Sequence, residues 1–517
     1  MANLSRRHFL RTVGLGAAAV ASGCASAKQP AAGKDAAAGT PRKPAAKPNI
    51  VFILADDLGY NELGCYGQTK IRTPNLDRLA ASGVRFTDHY SGSPVCAPSR
   101  CTLMTGCHTG HAYVRDNLGR PRVGQLPVPD KTVTLAELLK REGYRTGAAG
   151  KWGLGGPGTT GHPNKQGFDS WFGYLDQWNA HSHYPEYMWR NTKKIILEKN
   201  VGGKQVQYSH DLFTEEALKF LRESAGRGPF FLYVPYTVPH VSLHVPDDSL
   251  AEYKGKWPET PYEGGHYSGH PTPRAAYAAM ITRMDRDVGR IVALLKELGV
   301  ERDTLVVFAS DNGPTYAGGA DSAFFESAKP LRGLKGSVYE GGIRVPMIAR
   351  WPGRIQPGSI SRLPCAFWDW LPTLMDLAGA ADRVPKGIDG VSIAPTLLGR
   401  GEQARREYLY WEHHPGRGMQ AVRMGPWKGV RLNARAGAEA PIELYNLDSD
   451  IGEQKDVAAE HPDVIKKMAA AMKDARVESP YFTFGAPSKT RDEWFAKAQA
   501  ESARMLKPEW LREGVEP

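Results

Sequence analysis

Two acidic pairs and one cysteine motif define the chemistry open to this chain. The apolar run Asn49-Ile50-Val51-Phe52-Ile53-Leu54-Ala55 ends in Asp56-Asp57, and the run Thr304–Ala309 leads through Ser310 into Asp311-Asn312. Adjacent carboxylates repel unless a cation or a proton lies between them. Three carboxylates and an amide are hard oxygen ligands, suited to Ca2+ or Mg2+ and not to a soft metal. For either pair alone, ordinary turn residues after a strand are the favoured reading; two pairs in the same setting favour a ligand. The second constellation is Cys96-Ala97-Pro98-Ser99-Arg100. A lone cysteine is commonly a small buried hydrophobe. Here a rigid proline follows two residues on and a cation four residues on. If Pro98 or Ser99 opens a helix, Cys96 and Arg100 share its N-terminal end, which favours an anion or a reactive group. Lys151, after the strand candidate Tyr144–Ala149, adds another cation at a strand end.

For these residues to meet, their strands must run the same way, because ligands of open parallel sheets bind at the carboxyl ends. The β-branched run 49–55 has the texture of a strand buried on both faces. Thr73-Pro74 offers an N-cap and first-turn proline for a helix stopped by Gly83. Thr134-Leu135-Ala136-Glu137 is a capping box for a helix ending at Gly143. Pro229–Val234 and Val345–Ala349 are further strand candidates, and Met280, Met284, Val288, Ile291, Leu295 and Leu298 recur at helical spacing across Ala275–Leu298. This alternation predicts an α/β fold, a large mixed, mostly parallel sheet sandwiched by helices. Near Glu407 the texture changes to short strands, Glu407–Trp411 and Met419–Arg423, then a helix near Val464–Ala475. We therefore expect a main domain over 49–400 and a smaller α+β C-terminal domain over 401–517, with a small antiparallel sheet and a helix.

Composition narrows the partners. Of the formal net charge of +11, residues 1–48 carry +7 (eight Lys and Arg against Asp35), which leaves +4 for the other residues. With no basic stripe in the globular part, a nucleic-acid partner is disfavoured. Ser5-Arg6-Arg7-His8-Phe9-Leu10 has the form of a twin-arginine export signal, and the uncharged run Thr12–Cys24 is too short to span a bilayer. Ala21-Ser22-Gly23-Cys24 resembles a lipoprotein-processing site, with Ala21 where Leu is usual; cleavage after Ala25-Ser26-Ala27 is the open alternative. The expectation is a signal peptide over 1–23, an Ala-, Pro- and Lys-rich tether over 24–48, and passage through the twin-arginine machinery to the periplasm or cell envelope, either lipid-anchored at Cys24 or soluble. Cys65, Cys101, Cys107 and Cys365 lack metal-site spacing and read as packing residues, with one disulfide among them left open.

Cys96-Ala97-Pro98-Ser99-Arg100 resembles the Cys-x-Pro-Ser-Arg signature of the type I, arylsulfatase-like sulfatases of the alkaline phosphatase superfamily. In that family a maturation enzyme oxidises the Cys to Cα-formylglycine (3-oxoalanine) before folding. Further blocks follow in family order: Asp56-Asp57, Gly150-Lys151-Trp152, Pro239-His240, Ser310-Asp311-Asn312-Gly313, Leu334-Lys335-Gly336 leading to Tyr339–Pro346, and Leu444-Tyr445-Asn446-Leu447 with Asp450 and Glu453. The resemblance implies that Asp56, Asp57, Asp311, Asn312 and the modified residue 96 bind one Ca2+. It implies that Arg100 holds the formylglycine hydrate, that Lys151 and Lys335 grip the sulfate oxygens, and that His240 sits by the bridging oxygen. One hydroxyl of the hydrate then attacks sulfur while His240 or Lys335 protonates the departing alcohol. Loss of the other hydroxyl's proton expels sulfate and re-forms the aldehyde.

One position departs from the family pattern. A histidine commonly stands two residues after the motif lysine as base for release, and this chain has Gly153. Either His108, His111, His181 or His183 substitutes, or release proceeds without a dedicated base. Trp178-Asn179-Ala180-His181-Ser182-His183-Tyr184 reads as a polar-aromatic loop, which suits a sugar-binding wall through His181 and His183 or a loop packed on its own rings. The chain is thus read as a sulfuric ester hydrolase whose substrate is a sulfated carbohydrate or, less in keeping, an aryl sulfate. The rival readings are a phosphodiesterase or phosphonate-ester hydrolase of the same superfamily, and a non-catalytic sugar-binding surface lipoprotein.

Overall fold

The computed structural model describes residues 47–513 except Pro487, so the leader, Cys24 and nearly all of the tether lie outside the described residues. Strand β1 (Asn49–Asp56) takes the middle of a ten-stranded sheet because both of its faces are apolar. Val51, Ile53 and Ala55 enter the core on one side, and Ile50, Phe52 and Leu54 the core on the other. Burial of each large side chain contributes about 1.5–3 kcal/mol.

The remaining strands of this sheet are β2 (Val84–Phe86), β3 (Arg145–Lys151), β4 (Ser170–Tyr174), β5 (Tyr187–Arg190), β6 (Lys193–Ile196), β7 (Phe230–Pro239), β8 (Thr304–Ser310), β9 (Met347–Arg350) and β10 (Ser359–Ser361). Their spatial order is β10-β2-β9-β8-β1-β7-β3-β4-β5-β6. The run β8-β1-β7-β3-β4 is parallel throughout. Antiparallel pairs flank it, β9 on β8 and β2 on β9 at one side, β5 on β4 and β6 on β5 at the other. The sheet is mixed with a parallel centre, as expected.

Helices α1 (Pro74–Ala81), α2 (Cys96–Thr105), α3 (Leu135–Arg141), α4 (Ser209–Ser224) and α5 (Pro273–Glu297) cover it. Phe213 and Leu221 of α4 and Met280, Met284 and Val288 of α5 pack on one face, while Leu103 and Met104 of α2 and Leu135 and Leu139 of α3 pack on the other. The capping box forms: Thr134 N donates to Glu137 at 2.9 Å, and Glu137 N donates to Thr134 Oγ1 at 3.3 Å. One expectation shifts. Helix α2 opens at Cys96 itself, after extended Val95, and not at Pro98 or Ser99. Pro98 is tolerated there because first-turn N–H groups lack intrahelical partners anyway.

The short helix α6 (Glu340–Ile343) precedes a four-stranded antiparallel sheet, β11 (Leu409–His413), β12 (Met419–Met424), β13 (Trp427–Arg431) and β14 (Glu443–Asn446). Met468 and Met472 of α7 (Pro462–Asp474) pack on Tyr410, Val422 and Leu444. A last helix, α8 (Lys489–Met505), gave no sequence signal that we read. Lys428 on β13 is fully buried between Glu340 at 2.7 Å and Glu453 at 3.4 Å, and Glu453 also accepts from the Glu340 N–H at 2.7 Å. This network ties the small sheet to the segment that carries Lys335. The described residues belong to one compact unit, their cysteines are free, and none of their helices is long and apolar enough to cross a membrane.

Candidate active site

Four neighbouring parallel strands, β8, β1, β7 and β3, deliver Asp311-Asn312, Asp56-Asp57, His240 and Lys151 to one edge of the sheet. Register does part of the positioning, since Ala55 pairs with Ser310. Leu58 N then donates to Ser310 Oγ at 2.9 Å and Asp57 N to Asp311 Oδ1 at 3.1 Å. These bonds hold Asp57 at φ +67°, a left-handed conformation retained by a non-glycine residue where surrounding contacts over-determine it. Gly150 has φ +145°, and a Cβ there would lie 2.0 Å from Pro235 O. Only glycine lets β3 approach β7 so closely just before Lys151.

Helix α2 brings Cys96 and Arg100 over that edge. Arg100, fully buried, donates to Asp311 Oδ2 from Nε at 3.1 Å and from Nη2 at 2.8 Å, and to Lys151 O at 2.6 Å; its Nη2 also lies 3.3 Å from Asp56. Lys151 Nζ is 2.6 Å from Asp56, and Lys335 Nζ is 2.7 Å from the Asp57 carboxylate. Asn312 Nδ2 donates to Asp57 Oδ1 at 2.7 Å. His240 Nε2 lies 3.6 Å from Asp57.

Burial would raise all three carboxyls, and their neighbours decide the outcome. Lys151 first, with Arg100, holds Asp56 well below the ordinary range. Asp57 is raised by burial despite Lys335. Asp311 is pushed up to about 7 by burial and by the Asp56 charge, against Arg100. Burial disfavours charge on the lysines as well, but Asp56 keeps Lys151 raised and Asp57 keeps Lys335 raised. Three carboxylates thus meet three fixed cations, and a divalent metal would leave the site positive toward an anion.

The donor set fits such a metal. Asp56 Oδ1 and Asn312 Oδ1 are buried and have no hydrogen-bond partner among the described residues, an expensive condition for polar atoms unless a ligand completes it. Ligand atoms of Asp56, Cys96 and Asp311 lie within 4.8 Å of one another.

The histidines separate by position. His240 Nδ1 faces the Val241 carbonyl, which can only accept, so Nδ1 carries the proton and Nε2 faces the cluster. Burial, then Lys335, lowers its pKa well below the ordinary value. His181 stacks on His240 at 5.2 Å with planes 10° apart, and Trp178, His266 and Tyr267 surround it at 5.8, 5.7 and 5.2 Å. His183 is fully buried: Nε2 donates to His240 O at 2.8 Å and Nδ1 lies 3.2 Å from Thr237 Oγ1. Neither ring nitrogen is left for a sugar, so this residue supports His240 from behind. His108 and His111 are both engaged by Asp389, at 3.3 and 2.9 Å, beside Trp368 and Tyr410. Two contacts at the start of α2 have no sequence signal: Cys96 Sγ donates to Gln177 Oε1 at 2.8 Å, and the Ala97 N–H donates to Asn117 Oδ1 at 3.2 Å. Neither sits in a motif, and their partners are 81 and 20 residues away.

Comparisons with known proteins agree with this geometry. Residues 48–380 match the family described as Sulfatase, and residues 334–478 match N-sulphoglucosamine sulphohydrolase, C-terminal. N-acetylgalactosamine-6-sulfatase of Mus musculus is 33% identical over 408 residues, covering 76% of this chain and 72% of that protein. Arylsulfatase A of Homo sapiens is 33% identical over 507 residues, covering 86% and 91%. A crystal structure of Ps i-CgsB in complex with k-i-k-neocarrahexaose superposes with a TM-score of 0.72 at 30% identity, covering 88% of this chain and 99% of that one. Phosphonate monoester hydrolase of Agrobacterium radiobacter, with a TM-score of 0.60 at 22% identity over 83% and 95%, shares the fold. With Cys96, Arg100, the strand-end acids and three lysine or histidine groups converging on one buried site, the chain belongs to the sulfatase family and is a sulfuric ester hydrolase of alkaline phosphatase-like fold.

Proposed function

We propose that this sulfatase hydrolyses sulfate esters of a carbohydrate, using formylglycine made from Cys96 and one Ca2+. The observation that carries the proposal is the pair of buried, unpartnered oxygens, Asp56 Oδ1 and Asn312 Oδ1, beside Cys96 in a cluster whose acids and fixed cations balance. Asp56, Asp57, Asp311, Asn312 and residue 96 would hold the metal. A divalent cation there supplies positive charge that acidifies an attacking hydroxyl and offsets an anionic ester. The hydrated aldehyde supplies two hydroxyls on one carbon, one for attack on sulfur and one whose deprotonation releases sulfate.

The chain's own residues do the rest. Arg100 fixes Asp56 and Asp311 while keeping its charge beside residue 96. Lys151 and Lys335 present ammonium groups to the sulfate oxygens, where charge exists in both ground and transition states. Lys335 provides the proton for the departing oxygen, or His240 does so once the bound ester's negative charge has brought a second proton onto its Nε2. A carbohydrate is favoured by the half-open wall of Trp178, His181, His266 and Tyr267 above His240, since rings of this kind stack on sugar faces. The names of the relatives, an N-acetylgalactosamine-6-sulfatase and a structure holding neocarrahexaose, point the same way. The proposal includes oxidation of Cys96 by a maturation enzyme and export by the twin-arginine machinery to the periplasm or cell envelope.

The test is a panel assay on the purified, matured chain: defined sulfated saccharides, 4-nitrophenyl sulfate and bis(4-nitrophenyl) phosphate, with the mass of the Cys96 peptide measured alongside. Sulfate release from a saccharide, with an aldehyde or its hydrate at residue 96, is expected. Preference for the phosphate diester, or full sulfatase activity with an unmodified thiol, overturns the reading.

A further inference from the structure

Gly153 stands where the resemblance expects a histidine, and the structure fills that place differently. Its φ is +100°, in the left-handed region, and a Cβ there would come within 2.9 Å of Gln177 Nε2 and 3.7 Å of Ala97 Cα. Gln177 occupies the space. It enters from the loop after β4, the neighbour of β3 in the sheet, and is almost fully buried at 5% exposure. Asp176 pins this loop by accepting from the Asn179 N–H at 2.7 Å and the Tyr187 hydroxyl at 3.4 Å. Gln177 Oε1 accepts from Cys96 Sγ at 2.8 Å, and its Nε2 has no hydrogen-bond partner among the described residues. A buried amide nitrogen left unpaired is unfavourable, and such arrangements persist where a neighbouring contact has a use. The neighbouring contact here is residue 96.

We propose, resting on the formylglycine reading of residue 96, that Gln177 is the positioning residue for sulfate release. During attack one hydroxyl of residue 96 loses its proton to water as its oxygen bonds to sulfur, the bond from sulfur to the substrate oxygen breaks, and that oxygen takes a proton from the general acid, Lys335 or protonated His240. Gln177 Oε1 meanwhile accepts a hydrogen bond from the second hydroxyl, which keeps its proton. In release the carbon–oxygen bond to sulfate breaks and its electron pair leaves with sulfate. The O–H pair of the second hydroxyl becomes the new C=O bond, and its proton passes to water. A neutral amide has no titrating proton to exchange. Gln177 therefore orients the hydroxyl without serving as its base, and Gly153 is the residue that leaves room for it.

The experiment uses the full, matured chain with Q177L, which keeps the bulk and removes both polar ends, and G153A, whose Cβ displaces the amide. Aldehyde content at residue 96 is measured first in each. With 4-nitrophenyl sulfate, Q177L should give a burst of nitrophenol equal to the enzyme present, then a steady rate lowered by about 10²-fold, the usual scale for a misplaced reacting group. Intact mass during the steady state should show chain carrying sulfate, which a loss of packing alone would not produce. G153A should behave alike and add nothing further to Q177L. A Q177L steady rate near that of the parent, with no sulfated chain, overturns the inference and leaves the sulfatase reading intact. Equal slowing of burst and steady state overturns it too, by assigning Gln177 to the attack. If Q177L fails to fold, the same two outcomes are read on G153A. A parent with no aldehyde at residue 96 overturns the formylglycine reading itself.

Discussion

Replacing His240 by alanine separates proton donation from packing. The residue is held at three points: ring Nδ1 by the Val241 carbonyl, one ring face by His181, and its main-chain carbonyl by His183 Nε2. Nε2 is the ring atom left to meet a departing oxygen, and it donates only after taking a second proton, which the negative charge of the bound ester favours. Two losses follow from the truncation. The ring stack with His181 contributes about 0.5–1.5 kcal/mol, so its loss weakens every substrate by up to about tenfold. Proton donation contributes about 10²–10⁴-fold, but only where the leaving oxygen needs a proton. A sugar alkoxide needs one and a nitrophenolate does not. H240A should therefore lose about 10²–10⁵-fold in kcat/KM on a sulfated sugar and no more than about tenfold on 4-nitrophenyl sulfate. The assay is kcat/KM on both substrates at one pH, with residue 96 aldehyde content and thermal unfolding matched to the parent. Equal losses on the two substrates would refute donation by His240 and assign it to Lys335.

Three further predictions follow from other contacts. Asp311→Ala removes one proposed metal ligand, one of the acceptors of Arg100 and the acceptor of the Asp57 N–H, so Ca2+ content should fall from one ion per chain toward none and turnover should vanish; full activity after exhaustive chelation, with no metal found, would sink the metal reading. Cys96 is 1% exposed, so the proposed oxidation would have to precede folding, and on the proposed twin-arginine route a mutant with Arg6 and Arg7 changed to Lys should carry the aldehyde although retained inside the cell. Aldehyde confined to exported protein would overturn that order. Lys428→Met leaves Glu453 buried without a cation and Glu340 with Arg344 alone, and should cost about 3–5 kcal/mol in urea unfolding. Adding Glu340→Gln and Glu453→Gln should recover most of it, and a loss below about 1 kcal/mol for Lys428→Met alone would contradict the assigned role.

The parts of the site legible in the sequence are those fixed by local pattern. The run 49–55 announced a strand buried on both faces, and charged residues after apolar runs announced strand ends, because nothing in packing wants Asp56 or Lys151 there. The capping box at Thr134 and the periodic face of α5 were read for the same reason. What needs distant pairing was not legible. The antiparallel flanks of the sheet depend on β9 folding back on β8, which no local signal specifies. His181 and His183 sit two residues apart in one loop, yet one stacks against His240 and the other is sealed behind it. Gln177 meets Cys96 only because β4 lies beside β3. The start of α2 was misplaced because prolines mark first turns, and here the turn begins two residues earlier.

The central position of β1 sets a clock on the ribosome. Its two sheet neighbours are made late: β7 begins at Phe230 and β8 at Thr304. Until β7 has been synthesised the strand carrying Asp56 has two open edges, until Ser310 it has at least one, and the cluster that buries Cys96 lacks Asp311. The 214 residues from Cys96 to Ser310 take about 10–40 s at ordinary rates of chain elongation. For that interval the sheet edge over which Cys96 packs is unfinished, and the proposed maturation enzyme, if it reads an extended chain, would have that time in which to find it.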